Sequence, residues 1–163
     1  MRVLIIFILL LLVTFESSAQ DQIIARQYFE EGNFEQAAIY YERFYKNNPS
    51  NSGVIIPLVA TYQQLERYQE ADEILLSAAK GEKVNPVIYV EVGYNYHLMG
   101  KHKKAETYYD KAISLIDDNP NYAYILGRTF RSKTLLDQAI SSYKRAMERN
   151  EKLNFNYDLA TIY

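Results

Sequence analysis

The sequence predicts an all-α fold, a right-handed solenoid of antiparallel helix pairs running through about four and a half repeats. Three observations predict it. Ala37, Ala71, Ala105 and Ala139 stand 34 residues apart, as do Tyr28, Tyr62, Tyr96 and Phe130. Each copy holds two apolar patterns of helical period, separated by a short turn, "EGN", "LER", "MGK" or "SKT". The third is a paired column, Ile24-Ala25, Leu58-Val59, Val92-Gly93 and Leu126-Gly127, with Tyr41, Leu75, Tyr109 and Tyr143 as a further column. One helix pair cannot cover both of its faces, so neighbouring pairs must stack.

Residues 1–19 read as a signal peptide. After Arg2 comes an apolar run, Val3 to Val13, followed by "TFESSAQ". As a helix the run would rise about 16 Å, roughly half a hydrocarbon core. The basic start, short apolar core and small Ser17 and Ala19 place cleavage between Ala19 and Gln20. An uncleaved anchor is the alternative. No Cys follows the run, which excludes a bacterial lipoprotein anchor. The expected location is secreted or periplasmic, with no membrane contact in the mature form.

Residues 20–163 form the repeat domain: repeats at about 20–51, 52–85, 86–119 and 120–152, and a partial copy at 153–163. Repeat one has helices at 21–31 and 34–46. Its second, "EQAAIYYERFYKNNP", is too aromatic for a solvated helix and packs on its own first helix and on the next repeat's. Repeat two has helices at 54–65 and 68–80, ending at Lys80-Gly81. Pro57 would break its first helix, which is therefore expected to start late, near Ile55. Repeat three has helices at 86–99 and 102–116. Tyr89, Val92, Gly93 and Tyr96 share one face of the first; Ala105, Tyr108, Tyr109, Ala112 and Ile116 share one face of the second. Gly93 and Ala105 let the two backbones approach. Asn85-Pro86 and Asn119-Pro120 each set a capping Asn before a Pro at the first helical position, opening helices at 86 and 120. Repeat four spans 120–132 and 136–149. A last helix at 153–163 leaves Leu153, Phe155, Tyr157 and Leu159 without a later partner. This end reads as the N-terminal piece of a longer array, the alternative being a short self-capping protein; association through the uncapped helix would follow.

The chemistry-bearing residue types are sparse. Zero Cys among 163 residues removes disulfides and thiolate chemistry. A net charge of −2 with scattered Lys and Arg gives no basic stripe for nucleic acid. His97 and His102 are five apart, about 140° round a helix axis, with a turn between them, so no metal site is expected. His102 instead continues the aromatic column of Phe34 and Tyr68. Asp117-Asp118 reads as solvated turn chemistry, not a catalytic pair. No nucleophile triad, phosphate loop or Gly-rich fingerprint appears, so neither catalytic residues nor a cofactor are expected.

The period of 34, the small residue after an aliphatic one, the aromatic three positions later and the Ala opening each second helix resemble the tetratricopeptide repeat, across the whole of 20–163. "LGRTF" and "VGYNY" match that pattern well. The family's late Pro is present only as Pro49; Lys83, Asp117 and Glu151 stand in its column. The resemblance implies a concave groove lined by first helices. The implied lining is Gln22, Arg26 and Phe29, then Ile56, Ala60 and Gln63, then Val90, Tyr94 and His97, and finally Tyr124, Arg128 and Arg131. Arg26, Ala60, Tyr94 and Arg128 occupy the column where the family's carboxylate-clamp adaptors carry Asn, which argues against a chaperone tail as ligand. The expected function is a non-catalytic scaffold or adaptor at a bacterial cell envelope, binding a protein or peptide partner. A tetratricopeptide segment of a longer envelope enzyme or sensor is the alternative; a helical-repeat RNA reader is opposed by charge and export.

Overall fold

A computed structural model describes residues 20–81 and 83–162; the segment read as a signal peptide lies outside the described residues. Among them the chain is all-helical, with no strand. It divides between Ile74 and Leu75 into two compact units.

The first unit contains α1 (residues 20–30), α2 (Phe34–Asn47), α3 (Ser52–Gln64) and the start of α4 (Tyr68–Ala78). α1 meets α2 through stacked Tyr28 and Tyr40, ring centroids 5.7 Å apart, and through Arg43, whose Nη1 lies 3.2 Å from the buried Asp21 carboxylate. α2 meets α3 where the Tyr62 hydroxyl donates to Glu42 at 2.8 Å, beneath the Arg67 guanidinium at 4.4 Å from the ring.

The second unit contains α5 (Pro86–Leu98), α6 (His102–Ser114), α7 (Tyr122–Ser132), α8 (Leu136–Arg149) and the short α9 (Asn156–Ala160). α5 pairs with α6 and α7 with α8, and the two pairs stack through α5 on α7 and α6 on α8.

The repeat is visible in the backbone as well as in the core. Gly32, Glu66, Gly100 and Thr134, spaced 34 apart, all have positive φ, at 76°, 57°, 73° and 59°. One residue on, the N–H groups of Asn33, Arg67, Lys101 and Leu135 donate to the carbonyls of Tyr28, Tyr62, Tyr96 and Phe130 at 2.8–2.9 Å. This left-handed cap closes every first helix and turns the chain into the second. Two copies use glycine; Glu66 and the β-branched Thr134 hold the same turn at a steric cost. The four alanines of the opening column are all fully buried. Close approach is literal: a Cβ added at Gly93 would stand 3.0 Å from the Ala105 carbonyl and 2.4 Å from the Tyr109 ring.

Three elements differ from expectation. α3 starts at Ser52, not near Ile55, and carries Pro57 inside it. Asn51 caps it, accepting from Gly53 N at 2.9 Å, and the extra turn buries Val54 and Ile55 at 0% and 2% exposure. Burying two aliphatic side chains contributes about 3–6 kcal/mol, which matches or exceeds the roughly 3 kcal/mol of an interior proline. Asn85-Pro86 opens α5 as expected, with Asn85 accepting from Val87 N at 3.0 Å, but Asn119-Pro120 forms a turn ahead of α7. α9 covers five residues instead of 153–163, because Asn150 and Asn154 spend their side chains on turn contacts to Lys152 N and Asn156 N. Without a later helix, Phe155 finds an earlier partner: it is buried and stacks on Tyr143 of α8, centroids 4.8 Å apart. Asp117 is more than solvated turn; Arg145 Nε and Arg149 Nε donate to it at 2.9 and 2.8 Å, tying the end of α6 to α8. These two guanidiniums hold its carboxyl well below the usual range.

Candidate partner-binding groove

In the first unit the candidate residues lie on α1 and α3. Arg26 is exposed, Gln22 and Phe29 half-buried, and the Phe29 ring meets Phe34 edge-on at 5.2 Å and 67°. Ile56 and Ala60 are half-buried. Gln63 is not an open groove position: it is 7% exposed, alongside buried Thr61 and Tyr62. Val90 on α5 is likewise fully buried. The reason is shared. α3 and α5 are apolar nearly all round, and a helix apolar on every side is buried on more than the face it gives its own repeat partner.

The second unit brings a charged and aromatic cluster together. Tyr94 is half-buried on α5 and stacks parallel to exposed His97 at 6.2 Å. His97 in turn meets His102 edge-on at 5.1 Å and 69°, the geometry of Phe29 on Phe34 in repeat one. His102 thus fills the aromatic column, and among the described residues no group of three metal-ligating side chains forms. On α7, Tyr124 is 53% exposed, Arg128 exposed and Arg131 half-buried. The Arg128 guanidinium lies 5.4 Å from the Tyr124 ring centroid, with Nη1 donating to the hydroxyl at 3.4 Å. Arg128, Arg131 and Ser132 line a shallow depression of about 340 Å³.

Two residues absent from the sequence-based set bind α5 to the end of α7. Glu91 is 3% exposed, and Lys133 Nζ reaches its Oε2 at 2.9 Å. The same ammonium sits 4.1 Å from the Tyr94 ring centroid. Burial pushes the Glu91 carboxyl up, more than Lys133 draws it down. The signal for this pair was a lone Glu in the apolar run "PVIYVEVGYNYHL". Lys133 is therefore already engaged, by the Glu91 carboxyl and the Tyr94 ring. Among the described residues neither Arg128 nor Arg131 has a carboxylate within ion-pair distance.

Tetratricopeptide repeat models match residues 23–51, 87–119 and 120–153. Among solved structures, a crystal structure of MamA aligns with a TM-score of 0.55 at 24% identity, covering 83% of this chain and 79% of that one. A second MamA crystal structure also aligns at 0.55, with 21% identity over 91% and 81% of the two chains. Human cilia- and flagella-associated protein 70 is 27% identical over 96 residues, 57% of this chain and 9% of the relative, so the chain spans under a tenth of that protein. The repeat matches together cover more than half of the sequence, and the chain belongs to the tetratricopeptide repeat family.

Proposed function

We propose that this chain is an exported interaction scaffold without catalytic activity of its own, taking a protein or peptide partner on the faces of its first helices. In the second unit the partner is an acidic or C-terminally free peptide with an aromatic anchor. The observation that carries this reading is the pair Arg128 and Arg131, uncommitted to any carboxylate among the described residues and bordered by exposed Tyr124. Guanidinium groups can hold a carboxylate bidentately, and Tyr offers apolar area with a polar tip. The test combines Arg128→Ala with Arg131→Ala in a pull-down from envelope extract at two salt concentrations. Capture should fall several-fold and lose most of its salt dependence, with stability changed by no more than about 0.5 kcal/mol. Equal recovery of the same partners at both salts sinks the reading.

Export belongs to the same proposal. Among the described residues no helix is long and apolar enough to cross a membrane. α1 is helical from residue 20, and Asp21 is 5% exposed against Arg43, so cleavage between Ala19 and Gln20 leaves the packed part of α1 whole. Mass spectrometry of protein from a secreting host should find Gln20 at the N-terminus, free or cyclised. An intact Met1 terminus in a membrane fraction would instead mean an anchor.

A further inference from the structure

Two corners of the repeat, each where a first helix turns into its second, share one frame and carry opposite charge. In repeat one, Tyr28 stacks on Tyr40 at 5.7 Å and 24°, and Phe29 meets Phe34 edge-on at 5.2 Å and 67°. The equivalent residues of repeat three repeat this arrangement. Tyr96 lies on Tyr108 at 5.7 Å and 30°, and His97 meets His102 at 5.1 Å and 69°. Gly32 and Gly100 make the same left-handed turn, at φ 76° and 73°.

On this common frame repeat one carries Glu30, Glu31 and Glu35, and repeat three carries Lys101, Lys103 and Lys104. All six are exposed. Among the described residues none of the six has an oppositely charged side chain within ion-pair distance. The ammonium groups of Lys101 and Lys104 are gathered at the corner, 5.8 and 5.3 Å from the Tyr96 ring centroid. The bias runs through each unit. Residues 20–74 carry nine acidic and four basic side chains, and residues 75–163 carry ten and thirteen, so the first unit is net negative and the second net positive.

We propose that the two corners dock on each other between copies of this chain: the acidic corner of repeat one in one molecule seats on the basic corner of repeat three in another. Charge complementarity selects a second copy as the occupant, because every molecule presents both signs on matching frames. Like-signed corners repel, which fixes the pairing. Half-buried Phe29 and Phe34 offer apolar area beside the carboxylates, and the exposed His97 and His102 rings offer a flat face beside the ammonium groups. The contact is heterologous, one patch meeting a different patch. Exposed ion pairs are weak singly and screened by salt, so the association is salt-sensitive. It goes beyond the groove reading and does not use Arg128 or Arg131.

Sedimentation velocity over a protein dilution series, in about 20 mM and about 500 mM salt, tests this, since the Debye length falls from roughly 20 Å to roughly 4 Å. Wild type should associate at low salt, with an apparent association constant at least about tenfold lower at high salt. Two charge-reversed proteins, Glu30→Lys with Glu31→Lys and Glu35→Lys, and Lys101→Glu with Lys103→Glu and Lys104→Glu, should each be monomeric alone. Mixed, they should associate, because one then has two basic corners and the other two acidic ones. Circular dichroism should show both as helical as wild type. Wild type that stays monomeric at low salt, reversed proteins that associate alone as wild type does, or reversed proteins that fail to associate when mixed, would each overturn the proposal. Arg128→Ala with Arg131→Ala should associate like wild type. Loss of association in that variant also overturns it, because the acidic corner would then be docking in the groove, and the groove reading would stand.

Discussion

Tyr109→Ala should lower unfolding stability by about 3 kcal/mol, the lower end of the range for emptying a large aromatic site. The ring touches the α5 backbone at Gly93 and meets Phe130 of α7 edge-on at 5.5 Å and 85°, so one side chain joins α6 to two other helices. Losing the unpaired hydroxyl offsets part of the cavity. The neighbouring glycine supplies an internal check. Gly93→Ala alone forces its new methyl into the Tyr109 ring and should destabilise. In the Tyr109→Ala background the ring is gone and the Ala105 carbonyl, 3.0 Å away, is the crowding contact that remains, so helix propensity should offset much of the cost and the same substitution should destabilise far less than in wild type. Urea unfolding followed by far-ultraviolet circular dichroism reads all four proteins. Additive effects would mean that the ring and the glycine do not share a space, and the column assignment would be wrong.

That contact shows why the repeat was readable. A column such as Gly93 over Tyr109 is enforced by backbone spacing, and Gly127 over Tyr143 repeats that steric demand 34 residues on, while Ala25 with Tyr41 and Val59 with Leu75 hold the same columns. Chance cannot mimic it across several columns. Single elements were less legible where one residue argued against its context. Pro57 suggested a late helix start, but the proline rule speaks of one hydrogen bond, while Val54 and Ile55 bring two buried side chains. Asn119-Pro120 looks like Asn85-Pro86 and makes the same side-chain contact, accepting from Asn121 N as Asn85 accepts from Val87 N, yet α7 begins only at Tyr122; the local motif is the same and the helix start is not.

The candidate groove was read less completely than the fold, for a related reason. Assigning lining residues by column treats all first helices as alike. α7 is amphipathic, and its Tyr124 and Arg128 stay exposed; α3 and α5 are apolar all round, and Gln63 and Val90 disappear from the surface. Lys133 was invisible because it follows α7, in a turn that propensity assigns to solvent. Its partner Glu91 lies 42 positions earlier, and no local pattern links the two.

Lys133→Met should cost about 3–5 kcal/mol near neutral pH, because it strands the Glu91 carboxylate in a site 3% exposed to solvent. The methionine keeps an apolar side chain of similar length beside Tyr94 and removes the charge, together with the ammonium's contact with that ring. The loss should depend on pH, with a sign that burial fixes. Glu91 already sits above its ordinary value through desolvation, and removing the ammonium raises it further. A folded-state pKa above the unfolded one means that the native protein holds the proton more tightly. The corresponding stability is present in full below the ordinary glutamate range and is lost as pH rises through the folded value. The Lys133→Met deficit should therefore be small near pH 4 and grow towards pH 8, steeper than the same trend in wild type. Adding Glu91→Gln removes the stranded charge, so the double variant should recover most of the stability and lose the added slope. Urea unfolding at several pH values decides between the accounts. A deficit that is constant with pH, and unrelieved by Glu91→Gln, would mean that Lys133 acts through packing on Tyr94 and not as the counter-ion of Glu91.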